Sequence, residues 1–408
     1  MKRYSEYKDS GVKWIGEIPG HWKICRTRYL CNINTGDKDT VMKEDNGKYP
    51  FYVRSPKIER INTFSYDGEA ILMAGDGVGA GKVFHYANGK FDYHQRVYNM
   101  HNICGVSGKF MFYFIRDQFH YAMEEKNAKS TVDSVRLPWL KAFPIAIPAQ
   151  EEQEAIVTYL DTKVAKIDEY ISIAEKKIAA LEELKQSIIA EAVTRGIHKE
   201  VPMKDSGVKW IGMIPEHWKR LRYKDVLRIR DEKVGKRKDL TLLSLSKKGV
   251  IIRDLIDGKG KFPKDFESYK IVNPNNLILC LFDVDETPRT VGIAKNTGMI
   301  TGAYDIFDVI NENIKFIYYH YQSIDDVKGF KPLYKGLRKV IPLPSLMGSY
   351  IFIPSLEEQQ EIVTYIETKV ANINQLCQAE RSQIEKLKEY KQRLISDVVT
   401  GKLKVTND

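Results

Sequence analysis

From Ile145 the chain reads Ile-Ala-Ile-Pro-Ala-Gln-Glu-Glu-Gln-Glu-Ala-Ile-Val-Thr-Tyr-Leu-Asp-Thr-Lys-Val-Ala-Lys-Ile-Asp, ending at Asp168. From Ile351 it reads Ile-Phe-Ile-Pro-Ser-Leu-Glu-Glu-Gln-Gln-Glu-Ile-Val-Thr-Tyr-Ile-Glu-Thr-Lys-Val-Ala-Asn-Ile-Asn, ending at Asn374. The offset is 351 − 145 = 206, and 15 of the 24 aligned positions are identical. Each copy spells a short apolar strand, a proline stop and the start of a long helix. Pro148 and Pro354 have no N–H for a continuing strand ladder and bias the residue before them away from helix. Ser355 and Glu358 have the spacing of a capping box, and the glutamates of both first turns lie at the positive end of the helix dipole. Ala149 stands where Ser355 does, so the first helix start is expected to fray more.

Downstream of each proline the pattern predicts a helix of about 45 residues, long for a globular protein. Ile167, Ile171, Ala174, Ile178, Leu181, Lys185, Ile188 and Ala192 alternate spacings of four and three, which is a heptad seam. Ile373, Cys377, Glu380, Ile384, Leu387, Lys391, Leu394 and Val398 repeat that spacing. The apolar members Ile167, Ile171, Ile178, Leu181, Ile188, Ile373, Ile384, Leu387, Leu394 and Val398 are the expected coiled-coil interface. Lys185, Glu380 and Lys391 fall on the seam and fix register rather than add stability. Gly196 and Gly401 follow the shared Val-Thr pairs and terminate the helices. Two such helices, each following a similar domain, most simply pack antiparallel. At 1.5 Å per residue each spans about 68 Å, roughly two turns of B-DNA at about 34–36 Å per turn.

A second repeat lies upstream. Lys8-Asp9-Ser10-Gly11-Val12-Lys13-Trp14-Ile15-Gly16 returns as Lys204-Asp205-Ser206-Gly207-Val208-Lys209-Trp210-Ile211-Gly212. Ile18-Pro19 and His21-Trp22-Lys23 return as Ile214-Pro215 and His217-Trp218-Lys219. These residues read as an anchoring turn, and they mark the chain as a tandem duplication. Between the markers lie two variable blocks, roughly 25–147 and 220–353, rich in short β-type runs such as Ala70–Ala74 and Asn276–Phe282, with helical patches at Phe110–Phe119 and Ile314–Tyr321. Each block reads as an α+β globular domain.

The 408 residues carry 64 Lys+Arg against 54 Asp+Glu, a formal charge of +10, with 43% apolar residues. That balance describes a soluble globular chain with a mild basic excess that suits a polyanion partner. Five scattered cysteines without a Cys-x-x-Cys pair argue against a disulfide framework and for a reducing compartment. Met1-Lys2-Arg3-Tyr4 runs into charge, so no secretory signal is expected, and no stretch has the length of a membrane span. A cytoplasmic protein is expected.

No catalytic centre is legible. Gly75-Asp76-Gly77-Val78-Gly79-Ala80-Gly81-Lys82 misses the phosphate-loop spacing, because Asp76 stands where a glycine is required and no Ser or Thr follows Lys82. It reads as a turn that lets backbone and Lys82 approach DNA, or as a plain flexible turn. Asn273-Pro274-Asn275-Asn276 lacks the aromatic residue an amino-methyltransferase needs to stack a flipped base. The Glu-x-Lys triplets Glu183/Lys185 and Glu367/Lys369 lie on helix surfaces without an upstream Pro-Asp. The eight histidines show no ligand spacing, so no metal is expected. Basic, amide and aromatic residues do cluster: Arg54, Lys57 and Arg60 about a proline turn, Lys82, Tyr93-His94-Gln95-Arg96, and Lys129-Ser130-Thr131 with Arg136. In the second block the candidates are Arg228, Arg230, Lys233, Lys236, Arg237, Lys238, Lys335, Arg338 and Lys339. Arginine and glutamine can read guanine and adenine edges bidentately, while lysine mostly neutralises phosphate. Each cluster can equally be a solvated face.

The paired Lys-Asp-Ser-Gly-Val-Lys-Trp-Ile-Gly…Ile-Pro…His-Trp segments and the paired Ile-Pro…Glu-Glu-Gln…Ile-Val…Tyr…Thr-Lys-Val segments resemble the specificity subunits of type I restriction–modification enzymes. The resemblance covers the whole chain. It implies an α+β fold with two globular target recognition domains joined by two long antiparallel helices as a coiled coil, a pseudo-two-fold tandem repeat. The expected divisions are target recognition domain 1 at 1–148, a central spacer helix at 149–200, target recognition domain 2 at 201–354 and a C-terminal spacer helix at 355–408. It implies a non-catalytic DNA-binding subunit that reads a bipartite double-stranded DNA target and docks two methyltransferase subunits, to which restriction (motor–nuclease) subunits add. Adenine-N6 methylation and ATP-driven cleavage would be the partners' work. S-adenosylmethionine, ATP and Mg are expected there, and no cofactor is expected in this chain. The family shares no fixed base-reading residues, so the candidates above rest on chemistry and position.

Two other readings remain at this level. A self-contained DNA methyltransferase or nuclease would bind S-adenosylmethionine or metal as the purified chain. A coiled-coil adaptor without DNA reading would show no salt-dependent DNA binding once assembled. If the blocks are modular readers, exchanging residues 25–147 with 220–353 reverses the order of the two half-sites. Mapping methylated adenines checks this, and an unchanged target would contradict modularity.

Overall fold

The computed structural model describes residues 3–127, 134–198, 200–208, 211–237, 239–253, 266–287 and 289–405. Its helices are α1 (Gly108–Asn127), α2 (Leu137–Ala142), α3 (Gln150–Arg195), α4 (Tyr223–Val226), α5 (Ile314–Asp326), α6 (Leu343–Gly348) and α7 (Leu356–Val399). The chain divides into two compact units, Met1–Ala174 with Arg381–Asp408, and Glu175–Glu380. Each unit therefore holds one α+β block together with part of α3 and part of α7.

In the first unit Ala70–Ala74 is a run of apolar residues with all five positions buried, as a strand covered on both faces requires. It sits inside an antiparallel sheet ordered Asn32–Thr35, Val97–His101, Ala70–Ala74, Phe84–Ala87. A second sheet orders Glu59–Ile61, Tyr49–Tyr52, Lys90–Tyr93 and Tyr66–Asp67, with the middle pair parallel. α1 packs Phe110, Phe114 and Phe119 into the main core. The apolar run before Pro148 is the strand Pro144–Ile147, paired antiparallel with Lys23–Arg26. The second unit repeats part of this plan and, among the described residues, has two two-stranded antiparallel sheets, Leu243–Ser246 with Gly249–Ile252 and Lys270–Val272 with Gly298–Ile300, where the first has its mixed sheet. Tyr350–Ile353 pairs with Lys219–Arg222, and a sheet orders Leu227–Arg230, Asp305–Val309, Leu277–Leu279 and Val291–Ile293. α5 presses Phe316, Ile317 and Tyr321 into its core.

α3 has 46 residues and α7 has 44. Along both, the heptad positions are buried or half-buried: 167, 171, 174, 178, 181, 185, 188 and 192 on α3, and 373, 377, 380, 384, 387, 391, 394 and 398 on α7. The helices run antiparallel. In the first unit Lys391 Nζ donates to both carboxylate oxygens of Asp168, at 2.6 and 2.7 Å. In the second, Lys177 reaches Glu380 at 2.5 Å and Lys185 reaches Asn374 Oδ1 at 3.4 Å. The pairs 168 with 391 and 374 with 185 occupy equivalent places, each residue 206 positions from its counterpart (374 − 168, 391 − 185). The polar seam positions thus meet partners on the facing helix in a single register. Exposed ion pairs of this kind contribute about 0–1 kcal/mol, whereas each fully buried Ile or Leu contributes about 1.5–3 kcal/mol. The apolar seam holds the pair together and the charges select its alignment.

The duplicated motifs explain themselves at the helix ends. Glu152, in the first turn of α3, accepts from the Trp22 indole at 3.0 Å and meets His21 Nε2 at 2.9 Å. Glu358, in the first turn of α7, does the same with Trp218 at 3.1 Å and His217 at 2.8 Å. The next residue is a buried glutamine in both copies. Gln153 donates to the Pro148 carbonyl and accepts from the Ser107 N–H just ahead of α1; Gln359 donates to the Pro354 carbonyl and accepts from the Asn313 N–H that caps α5. Two expectations change here. Ser355 Oγ accepts from the Glu358 N–H at 3.3 Å, but the reciprocal half of the capping box is not made, because the Glu358 carboxylate is held by Trp218 and His217. Ala149 provides no side-chain cap, yet Glu152 and Gln153 tie the first turn of α3 to the block, so the fraying expected from sequence is opposed by tertiary bonds.

Each tryptophan also touches the far end of the other long helix. Gly196, after α3, lies against Trp218 and Pro215, and Gly401, after α7, lies against Trp22 and Pro19. Both glycines are left-handed, with φ of +74° and +73°. A Cβ on Gly401 would come within 2.3 Å of Pro19 Cδ, whereas one on Gly196 would meet nothing closer than 3.4 Å. Gly196→Ala carries only the left-handed penalty of about 1–2 kcal/mol, and Gly401→Ala adds a clash with a ring. Thermal unfolding of the two variants checks this: Gly401→Ala lowers the midpoint by several degrees more than Gly196→Ala.

Candidate nucleic-acid interface

The buried strand Ala70–Ala74 surfaces at Gly75-Asp76-Gly77-Val78-Gly79. Asp76 Oδ1 accepts from Arg54 Nη1 at 2.9 Å, and its other oxygen faces Arg96 Nε at 3.6 Å. The glycines make this approach possible. Gly77 is left-handed at φ +72°, and a Cβ on Gly79 would sit 2.5 Å from the Arg54 carbonyl oxygen. Val78, between them, is 92% exposed.

In the second unit the strand Leu277–Leu279 holds the same place in its sheet and runs out through Cys280 and Leu281 to Phe282 and Asp283. Asp283 is left-handed at φ +48°. Its N–H donates to the Arg338 carbonyl at 2.7 Å, and its carboxylate accepts from Arg338 Nε at 3.2 Å and Nη2 at 2.6 Å. The Arg338 guanidinium lies 5.1 Å from the Phe282 ring centroid, a cation–π distance. Arg338 holds the Asp283 carboxyl below its usual range, and Asp283 pushes the guanidinium further up. Arg338 sits on a tight turn closed by two backbone bonds between Lys335 and Val340, with Leu337 fully exposed at its tip. In both units, then, the buried strand of the sheet ends in an aspartate that holds arginine at the surface.

The other sequence candidates fall into several places. Arg60 donates to the carbonyls of Gly47 and Lys48 at 2.9 and 2.8 Å, so it ties down backbone. Tyr93 and His94 are buried; Tyr93 donates to Asn34, and His94 Nδ1 accepts from the Arg96 N–H at 2.9 Å. Burial lowers the His94 pKa, so its role is to shape the Gln95-Arg96 turn rather than to present charge. Gln95 donates to Asp39 at 3.1 Å, and the Arg136 guanidinium lies over Trp139 at 5.5 Å. Lys57 pairs with Glu59 at 3.2 Å, and Lys82 is exposed beside the glycine turn. Arg230 pairs with Glu232 and Asp308 at 3.3 and 3.5 Å. Arg228, Lys233, Lys236, Arg237, Lys335 and Lys339 are exposed. Lys129, Ser130, Thr131 and Lys238 lie outside the described residues. Sequence reasoning missed Asp76 and Asp283 as partners of arginine, and Phe282, Val78 and Leu337 beside them. The available signal was an aspartate following an apolar run in each block.

The outward faces of the long helices carry their own duplicated feature. Tyr170 and Leu376 are both exposed and lie 206 positions apart (376 − 170), as do Leu184 and Tyr390 (390 − 184). Among the described residues no cluster of His, Cys, Asp or Glu is arranged to hold a metal ion, and no helix is long and apolar enough to cross a membrane. All five cysteines are unpaired.

Comparison with known proteins gives these features a setting. Residues 19–183 match the family described as the type I restriction modification DNA specificity domain. The chain is 25% identical over 226 residues to the EcoDI type I restriction enzyme specificity subunit of Escherichia coli, a match spanning 52% of this chain and 50% of that one. It is 24% identical over 438 aligned positions to the MjaVIII specificity subunit of Methanocaldococcus jannaschii, covering 98% of both. In fold it is similar, at TM-score 0.66 and 14% identity, to a chain from a structural study of complex assembly and conformational transition in the type I R-M system, over 95% of this chain and 99% of that one.

Arg60 and Lys57 are close in sequence but differ in what they hold. Arg60→Ala removes two charge-assisted bonds, worth about 1.5–3 kcal/mol each where buried and less at this exposed residue, and lowers the unfolding midpoint by a few degrees. Lys57→Ala removes one exposed ion pair and leaves the midpoint within about 1 °C. Differential scanning calorimetry of both variants distinguishes them.

Proposed function

We infer that this chain is the DNA-specificity subunit of a type I restriction–modification complex, and that its two α+β blocks read the two halves of a split duplex target. The observation that carries the reading is the duplicated surface end of the buried strand, where Asp76 and Asp283 each hold arginine on otherwise different loops. Arginine is the residue suited to bidentate recognition of guanine in the major groove. Exposed Lys82, Lys236, Arg237, Lys335 and Lys339 supply phosphate contacts, so affinity falls steeply with salt. Two dissimilar loops on one repeated scaffold give an asymmetric target.

The paired helices α3 and α7 set the unread spacer between the half-sites. Their outward faces, repeated at Tyr170/Leu376 and Leu184/Tyr390, offer equivalent surfaces to two copies of one methyltransferase partner. Restriction subunits join through the complex. This chain positions DNA and holds no reaction centre of its own: S-adenosylmethionine serves the partners' adenine-N6 methylation, ATP and Mg serve cleavage, and the whole works in the cytoplasm of a bacterium or archaeon.

The register of the helices dictates the test. Because Lys177 faces Glu380 and Lys185 faces Asn374, an insertion after Ala180 requires a matching one after Ala379 to keep the seam paired. One heptad in each adds about 10.5 Å at 1.5 Å per residue, close to three base pairs. Mapping methylated adenines in host DNA then finds the half-sites about three base pairs further apart. Unchanged spacing would overturn the ruler role.

A further inference from the structure

Surface ion pairs ordinarily contribute little to stability, so stability does not account for Asp76 and Asp283. The surrounding sequences differ, Ala74-Gly75-Asp76-Gly77 against Leu281-Phe282-Asp283-Val284, yet both units place a carboxylate at the same end of the same strand and an arginine on it. Asp283 does so in a left-handed backbone conformation that disfavours a side chain. The geometry of the Arg338 pair is specific. Asp283 takes Nε and Nη2, one side of the planar guanidinium. Nη1 and the second hydrogen of Nη2 remain, and these are the end-on pair that matches guanine O6 and N7. Phe282 beneath the plane and the short Lys335–Val340 turn leave the group few alternative positions. An unanchored arginine loses rotamer entropy when it is ordered on DNA, and holding it before DNA arrives removes part of that loss from binding.

Resting on the specificity reading above, we propose that Asp76 and Asp283 are specificity-determining positioning residues: Asp283 fixes Arg338 as a pre-set fork for a guanine in one half-site, and Asp76, through a single bond to Nη1, holds Arg54 for a guanine in the other. Val78 and Leu337, fully or nearly fully exposed beside the forks, add an apolar contact of the kind that recognises a thymine methyl. The aspartates also repel phosphate, so an arginine held this way favours a base edge over the backbone.

The test uses the complex assembled with its methyltransferase subunits, its target first mapped by methylation. Competition binding at fixed salt compares the mapped duplex, duplexes in which each G·C pair of either half-site is changed to A·T in turn, and a random duplex. Asp283→Ala is expected to lower the cognate-to-random ratio about tenfold or more, to abolish discrimination at one G·C pair of a single half-site, and to leave random binding equal or tighter. Asp76→Ala does the same in the other half-site. Asp283→Ala adds nothing further in an Arg338→Ala background, because it acts through that residue. Should Asp283→Ala fail to assemble, the isosteric Asp283→Asn reads the same loss. Equal weakening on cognate and random DNA, or losses that multiply in the double variant, would overturn the positioning role. If the wild-type complex discriminates and the aspartate variants discriminate as well, this proposal alone falls. If the wild-type complex prefers no duplex, the specificity reading falls and takes this one with it.

Discussion

The indole N–H of Trp22 on the Glu152 carboxylate, and of Trp218 on Glu358, is the contact to which the other features of each unit are tied. A carboxylate bonded by an indole and an imidazole, with the Tyr4 hydroxyl on the other oxygen of Glu152, can remain largely buried because its acceptor sites are satisfied. That fixes where a long helix starts. The same tryptophan ring packs on the glycine that ends the other long helix. One side chain therefore locates two helix termini, and the adjacent glutamine locates a third element by bonding to the backbone at the start of α1 or α5.

With the ends fixed, the middle of each helix has only its rotation and register left to settle. The apolar seam settles rotation, since any other face would expose Ile and Leu to water. Register is settled by the few polar positions within it. Lys391 on Asp168 and Lys185 on Asn374 are the same contact made twice, at equivalent places of the two repeats, and both belong to the one alignment observed. The energy of each such pair is small, and its effect is on which alignment is adopted rather than on whether the helices associate.

The blocks follow an opposite logic. The sheet that holds the buried strand repeats in strand order although its sequence does not, because a buried antiparallel core constrains side-chain size and burial more than identity. What is free to vary is the loop where a buried strand reaches the surface. There one unit uses two glycines, Gly77 and Gly79, to bring the loop against Arg54, and the other uses a left-handed aspartate and a phenylalanine beneath Arg338. Rigid scaffold and variable rim separate what is constant in each block from what can change.

Sequence alone determined the duplication, the two long helices, their seams and their glycine ends, because each of these is written in spacings of a few residues along one element. It also marked the two apolar strands and the chemistry of the recognition candidates. Tertiary structure alone decided which of those candidates are available. Arg60 is drawn to backbone carbonyls, Tyr93 and His94 are buried, and Glu358 leaves its capping box for a tryptophan 140 positions away. Asp76 finds Arg54 across 22 positions and Asp283 finds Arg338 across 55. No local spacing encodes such pairs. They follow from strand order, which brings distant turns to one edge of a sheet and lets the nearest opposite charges there settle on each other.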